Sequence, residues 1–198
     1  MPVIALVGGI GVGKTFWGNK LVKTIQNSVF IEEQVTKNIF LNEFYGDMKK
    51  WGFHSRISML SMILDSTKEA YGNENVVILD RCINELIVFA KKEYDENNMT
   101  DKEFVLYKQL YNAITHILPS PDVYLYFTCS PETCYTRIKK RNRECERNIS
   151  EEFCRDVIYR YDLWRKTLLH DKVIDINTDT MVDINLIKEK IRILGIKV

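Results

Sequence analysis

An α/β fold is predicted: a five-stranded parallel sheet flanked by helices, with a short arginine-rich lid. Three observations predict it. Short apolar runs alternate with longer stretches of helical spacing, as buried strands and covering helices do. The first apolar run leads into a glycine-rich turn, Gly8-Gly9-Ile10-Gly11-Val12-Gly13-Lys14-Thr15, and a helical stretch follows it. Polar residues gather just past the ends of later apolar runs, where open parallel sheets place their ligands.

Taken in order, the first strand is Val3–Val7, short and wholly apolar. Strand, then G-x-x-x-x-G-K-T, then helix is the P-loop arrangement, and the architecture expected around it is the P-loop NTPase fold. A helix is expected over Thr15–Gln26, then a strand near Val29–Glu32. A helix over Ser55–Tyr71 precedes a third strand at Val76–Asp80, and helices over Asn84–Glu93 and Asp101–Leu118 follow. The fourth strand, Val123–Thr128, leads to a helix over Pro131–Arg143. Its start is marked by Ser130 as N-cap, Pro131 in the first position and the Glu132 carboxylate in the first turn. Ser150-Glu151-Glu152 opens another helix, to Leu169. A fifth strand near Lys172–Ile176 and a helix over Asp183–Leu194 close the pattern. No repeat or linker divides the chain, so a single domain over residues 1–198 is expected, its lid spanning about residues 137–149.

Composition narrows the function. Of 198 residues, 28 are Lys or Arg and 27 Asp or Glu, a net charge of +1 that supplies no global field toward nucleic acid or a membrane surface. No apolar run is long enough to cross a bilayer. The chain enters its first strand without a charged n-region or cleavage site, which makes the cytoplasm the expected location. Five cysteines (Cys82, Cys129, Cys134, Cys145, Cys154) form no C-x-x-C pair. They are expected as reduced, small buried side chains rather than a zinc site or a disulfide framework.

The glycines Gly8, Gly9, Gly11 and Gly13, with Ile10 and Val12 between them, let backbone N–H groups converge on phosphate oxygens. The helix N-terminus adds partial positive charge, Lys14 neutralises outer phosphates, and the Thr15 hydroxyl is placed to ligate Mg²⁺. After the second strand stand Glu32 and Glu33: a general base facing the phosphate loop, or a solvated edge. After the third stand Asp80, a second Mg²⁺ candidate, and Arg81, a guanidinium for the phosphate site; a structural ion pair is the alternative. The Pro131 helix carries Arg137, Lys139, Lys140, Arg141 and Arg143. Acidic residues follow at once, which suits a lid closing over ATP phosphates better than a nucleic-acid patch. Tyr45, Trp51, Phe53 and His54 are either a slot for a nucleobase or core packing. Met59 and Met62 read as helix core, and His116 and His170 as structural or surface residues. Asn177-Thr178-Asp179, past the fifth strand, sits where P-loop kinases often border the ATP adenine.

On these residues the chain resembles the deoxyribonucleoside kinases, the group containing deoxycytidine, deoxyguanosine and mitochondrial thymidine kinases. G-G-I-G-V-G-K-T is similar to the family's G-x-I-G-x-G-K-[ST]. Glu33-Gln34-Val35 resembles E-P-V, and Asp80-Arg81-Cys82 resembles [ED]-R-S. Pro131-Glu132-Thr133-Cys134 with Arg137, Arg141, Arg143 and Glu146 resembles the lid P-E-x-C…R-x-x-x-R-x-R-x-x-E. The resemblance implies ATP as phosphate donor with Mg²⁺, a deoxyribonucleoside as small-molecule acceptor in nucleotide salvage, and a homodimer. It implies Glu33 as the base for the sugar 5′-hydroxyl, Arg81 beside the 5′-oxygen, lid arginines on phosphates, and Glu146 and Tyr45 on the 3′-hydroxyl. The chain departs at the base-reading run: Phe53-His54-Ser55 stands for Phe-Gln-Ser, and a shorter spacing from Trp51 makes Arg56 the alternative aligned residue. An imidazole does not offer donor and acceptor side by side as an amide does. Asn84-Glu85 stands for the family's later D-R pair, which puts Glu85 among the substrate-facing candidates. Two rivals remain: a nucleoside monophosphate kinase resembling thymidylate kinase, and a non-catalytic nucleotide-binding protein. A GTPase would need an N-K-x-D run, which the sequence lacks.

Overall fold

The computed structural model describes residues 1–197, with every side chain among them except those of Thr36, Cys145 and Asp171. The thiol expected of Cys145 and the expected domain end at Val198 lie outside the described residues. Five strands, β1 (Val3–Val7), β2 (Ser28–Ile31), β3 (Val76–Asp80), β4 (Val123–Thr128) and β5 (Val173–Asn177), form one sheet in the order β2-β3-β1-β4-β5. All four pairings are parallel. The central strand β1 is covered on both faces, which is why its sequence is an unbroken apolar run. On the edge strand β5 only Ile174 and Ile176 turn inward, while Asp175 and Asn177 alternate with them to solvent.

Period-two alternation divides the sheet between two cores. Ile4, Leu6, Ile78, Leu125 and Phe127 face α1 (Lys14–Leu21), α6 (Pro131–Arg141) and α8 (Ile184–Ile193), through Leu21, Ile138 and Ile187. Val3, Ala5, Val7, Val77 and Leu79 face α3 (Met48–Tyr71) and α7 (Glu151–Arg165), through Ala70, Tyr161 and Trp164. A third core lies off the sheet, where Leu60, Ile63, Leu86 and Tyr107 join α3 to α4 (Leu86–Asp95) and α5 (Asp101–Ile117). Each fully buried Val, Leu, Ile or Phe among them contributes about 1.5–3 kcal/mol by leaving water.

The helix expected from Ser55 starts seven residues earlier, at Met48, with the Asp47 carboxylate accepting from Lys50 N–H at 3.0 Å. Gly52 obscured that start, because a glycine inside a helix usually weakens it. Here it is required: a Cβ at Gly52 would lie 2.3 Å from the Asn98 carbonyl oxygen. A short helix, α2 (Leu41–Gly46), was not anticipated. Helix α6 stops at Arg141 because Asn142 adopts a left-handed conformation (φ 50°), so Arg143 lies beyond it. Ser130 and Ser150 cap α6 and α7 as expected, accepting from Thr133 and Phe153 N–H.

Register sets the site. Leu6 pairs with Asp80, so β1 and β3 end side by side, and Arg81 N–H donates to the Leu6 carbonyl at 3.1 Å. The glycine-rich turn therefore leaves β1 directly beside Asp80 and Arg81.

Candidate active site

The phosphate loop is shaped by contacts that side chains would prevent. Gly8 has φ 134°, and a Cβ there would sit 2.3 Å from the Phe127 carbonyl oxygen. Gly13, at φ 96°, opens α1. Within this turn Lys14 folds back, its ammonium donating to the Gly8 and Gly9 carbonyls at 2.8 Å each. Burial, then Arg81, pushes the Lys14 pKa down, while Glu85, Asp80 and Glu33 push the other way.

Thr15 Oγ1 donates to Asp80 Oδ2 at 2.6 Å. The other carboxylate oxygen, Oδ1, is buried without a hydrogen-bond partner. Burial foremost lifts the Asp80 carboxyl to about 6, against Lys14 and the Thr15 hydrogen bond. A hydroxyl beside an orphaned carboxylate oxygen is a hard-oxygen donor set, so these residues fit a Mg²⁺ ion.

Arg81 follows β3 in the left-handed region, with φ 71°. Non-glycine residues enter that region at a cost and stay when their surroundings over-determine them. Its Nε donates to Glu33 Oε1 at 2.8 Å, one Nη to Tyr161 Oη at 2.8 Å, and the same Nη lies 3.6 Å from Glu85 Oε2. Burial opposes the charge, but Glu33, Tyr161 and Glu85 outweigh it and hold the guanidinium firmly protonated.

A cavity of about 420 Å³ joins these groups. Ile10, Gly11, Gly13, Lys14 and Thr15 line one side, and Glu33, Asp80 and Arg81 lie across it. Tyr45 of α2 and Arg56 of α3 line it too, with Arg137, Arg141, Arg143 and Glu146. Arg137 is anchored, its two Nη groups donating to Thr178 Oγ1 and the Thr178 carbonyl at 2.8 Å. Arg141 grips both oxygens of the buried Glu146, at 2.7 and 2.6 Å, and Arg143 lies 3.7 Å from the same carboxylate.

Several expected site residues lie elsewhere. Glu85 does not face the cavity; its side chain is 0% exposed, and Oε2 accepts from Gly8 N–H at 3.2 Å. From the turn before α4 it braces the phosphate loop at Gly8, just past the end of β1. Phe53 packs against the third core, and His54 is exposed on the outer side of α3, its ring 5.5 Å from Phe40 and 5.1 Å from Trp51. The early start of α3 explains this, since helical spacing turns residue 54 away from the side that carries Arg56. Phe44 and Phe89 are among the aromatic residues that do line the cavity, and their ring centres lie 5.0 and 5.6 Å from the Arg56 guanidinium carbon. Asn177, Thr178 and Asp179 do not line the cavity either. Thr178 holds Arg137, Asp179 accepts from Ser130 N–H at 2.6 Å at the start of α6, and Asn177 accepts from Asp179 N–H.

Sequence reading missed Tyr161, Phe44, Phe89 and the buried Lys92, which also lines the cavity. The apolar period of α7 marks Tyr161 as buried but carries no sign of its hydroxyl's partner. Four cysteines (Cys82, Cys129, Cys134, Cys154) are buried free thiols as expected, and Cys134 Sγ donates to the Ile10 carbonyl of the phosphate loop at 2.9 Å.

A family model described as deoxynucleoside kinase matches residues 4–193. The chain is 32% identical over 181 residues to a deoxyadenosine kinase of Dictyostelium discoideum, covering 91% of this chain and 74% of that one. It is 31% identical over 165 residues to a deoxyadenosine/deoxycytidine kinase of Bacillus subtilis, covering 82% and 76%. Among solved structures it is similar to deoxyadenosine kinase from M. mycoides with bound dATP, with a TM-score of 0.85 and 30% identity over 97% of this chain and 100% of that one.

Proposed function

The chain belongs to the deoxynucleoside kinase family, and from that membership we infer that it transfers the γ-phosphoryl group of ATP to the 5′-hydroxyl of a deoxyribonucleoside, giving the 5′-monophosphate and ADP. One observation carries the reading to residues: Glu33, fixed by Arg81, lies across a single cavity from the phosphate loop. Arg81 occupies Glu33 Oε1 and leaves Oε2 to accept the hydroxyl proton as the 5′-oxygen attacks phosphorus. Arg81 steadies that oxygen. Lys14 exchanges its loop carbonyls for phosphate oxygens, and Arg137 stands ready beside it. When bound, Mg²⁺ supplies charge neutralisation at the phosphates, and Thr15 and Asp80 would hold it. Arg141 and Arg143 serve as a lid over the transferring group, and Glu146 with Tyr45 receives the sugar 3′-hydroxyl. The working assembly is a homodimer in the cytoplasm; exposed Val105, Leu106 and Leu110 on α5 support an apolar contact face.

The second reading, a nucleoside monophosphate kinase, draws on the same P-loop and arginines. The carboxylates Glu33 and Glu146 on the acceptor side favour an uncharged sugar over a phosphate. Incubation with labelled ATP and each of the four deoxynucleosides, in parallel with their monophosphates, tests the choice. Label is expected in deoxynucleoside monophosphates. Label only in diphosphates overturns the assignment.

A further inference from the structure

We infer that Arg56 reads the nucleobase and that its lone guanidinium selects 6-oxopurines, making deoxyguanosine and deoxyinosine the preferred acceptors. This rests on the kinase reading above and narrows its substrate.

Arg56 lines the apolar part of the cavity, near Phe44, Met59, Leu86 and Phe89. The other polar groups in this region are committed. Asn38 donates to Ser55 Oγ at 3.0 Å and accepts from Phe40 N–H at 3.1 Å, and Tyr107 Oη donates to the Leu86 carbonyl at 3.4 Å. Arg56 is not. One Nη donates to Ser55 Oγ at 3.2 Å, Nε is buried without a partner, and among the described residues no carboxylate lies within 4.0 Å of the guanidinium. A guanidinium held between two aromatic rings and paired with no carboxylate can offer its remaining Nη N–H groups to acceptor atoms entering the cavity.

The chemistry of those acceptors follows. A guanidinium only donates, through five N–H groups in a planar fork. At the edge remote from the sugar, guanine and hypoxanthine present O6 and N7 side by side, the pair such a fork spans. Adenine and cytosine present an amino group there, which would set donor against donor. Thymine presents a single carbonyl beside a methyl group. A glutamine in this position would offer both a donor and an acceptor and so accept amino bases; arginine removes that option.

A matched bidentate contact is worth about 5- to 150-fold in discrimination. The test measures kcat/KM on the full chain with deoxyguanosine, deoxyinosine, 7-deazadeoxyguanosine, deoxyadenosine and deoxycytidine. Deoxyguanosine and deoxyinosine should lie within about threefold of each other and at least ~10-fold above deoxyadenosine and deoxycytidine. Loss of N7 in the deaza analogue should cost about fivefold or more. Arg56→Gln should lower the ratio of deoxyguanosine to deoxyadenosine by about tenfold or more. Preference for deoxyadenosine or deoxycytidine by the unaltered enzyme, or indifference to N7, overturns the inference and leaves the kinase reading standing. No turnover with any nucleoside removes the kinase reading and this inference together. The deaza comparison uses the unaltered chain, so the outcome does not depend on the variant folding.

Discussion

Replacing Glu85 by glutamine should destabilise the protein although the residue does not line the cavity. The carboxylate is wholly buried, 3.6 Å from an Nη of Arg81, and accepts from Gly8 N–H. At an effective dielectric constant of ~20, that separation gives a gross attraction of about 4–5 kcal/mol. Relief of the buried carboxylate's desolvation offsets part of it, and Arg81 keeps Glu33 at 2.8 Å. The net loss should be about 2 kcal/mol, below the ~3–5 kcal/mol seen when a buried ion loses its sole partner. For a chain of this length that is a fall in Tm of about 4–8 °C. The amide retains an acceptor for Gly8 and nearly the same volume, so Glu85→Ala should fall further, by about another 1–2 kcal/mol. Thermal unfolding followed by circular dichroism at pH 7.5, without ligand, measures both. A glutamine variant that melts within 1 °C of the parent, or above it, would show that Glu85 does not brace Arg81 and the loop.

Glu33→Gln should lower turnover by about 10²-fold while a bound nucleoside still protects the protein against heat; near-normal turnover would remove Glu33 as the base. Asp80 holds a proton up to a pH of about 6 in the folded chain and to about 3.8 when unfolded, so its contribution is intact below 3.8 and lost as pH climbs through 6. Ligand-free Asp80→Asn should therefore be more stable than the parent at pH 7.5, by up to ~3 kcal/mol, with the gap closing at pH 4 in urea titrations. A gap that is constant with pH refutes the titration. Gly8→Ala should cost about 3 kcal/mol or more, because its Cβ would meet the Phe127 carbonyl oxygen at 2.3 Å, whereas Gly46→Ala, with open space around it, should be neutral or gain about 0.5 kcal/mol; equal denaturation midpoints for the two would contradict the packing.

The sheet was legible because its signals are local. The runs Val3–Val7, Val76–Asp80 and Val123–Thr128 are bounded where the sequence places them, since full burial leaves no polar residue inside a strand. The phosphate loop was legible because its glycines answer to backbone geometry alone. What the sequence concealed lies in contacts between distant segments. Gly52 looks like a helix breaker until Asn98 is seen against it. Glu85 looks like a substrate ligand until the turn before α4 carries it against Gly8. His54 and Arg56 stand two residues apart, and only the true start of α3 settles which one meets the cavity.

On the function proposed above, the grip of Arg141 on Glu146 would join two events that are otherwise separate. A donor nucleotide that recruits the guanidinium sets the carboxylate free. A sugar hydroxyl that engages the carboxylate sets the guanidinium free. With the roles proposed for these two residues, each arrival would relieve the other of breaking the same bond, and by thermodynamic reciprocity the two substrates would raise one another's affinity by an equal factor.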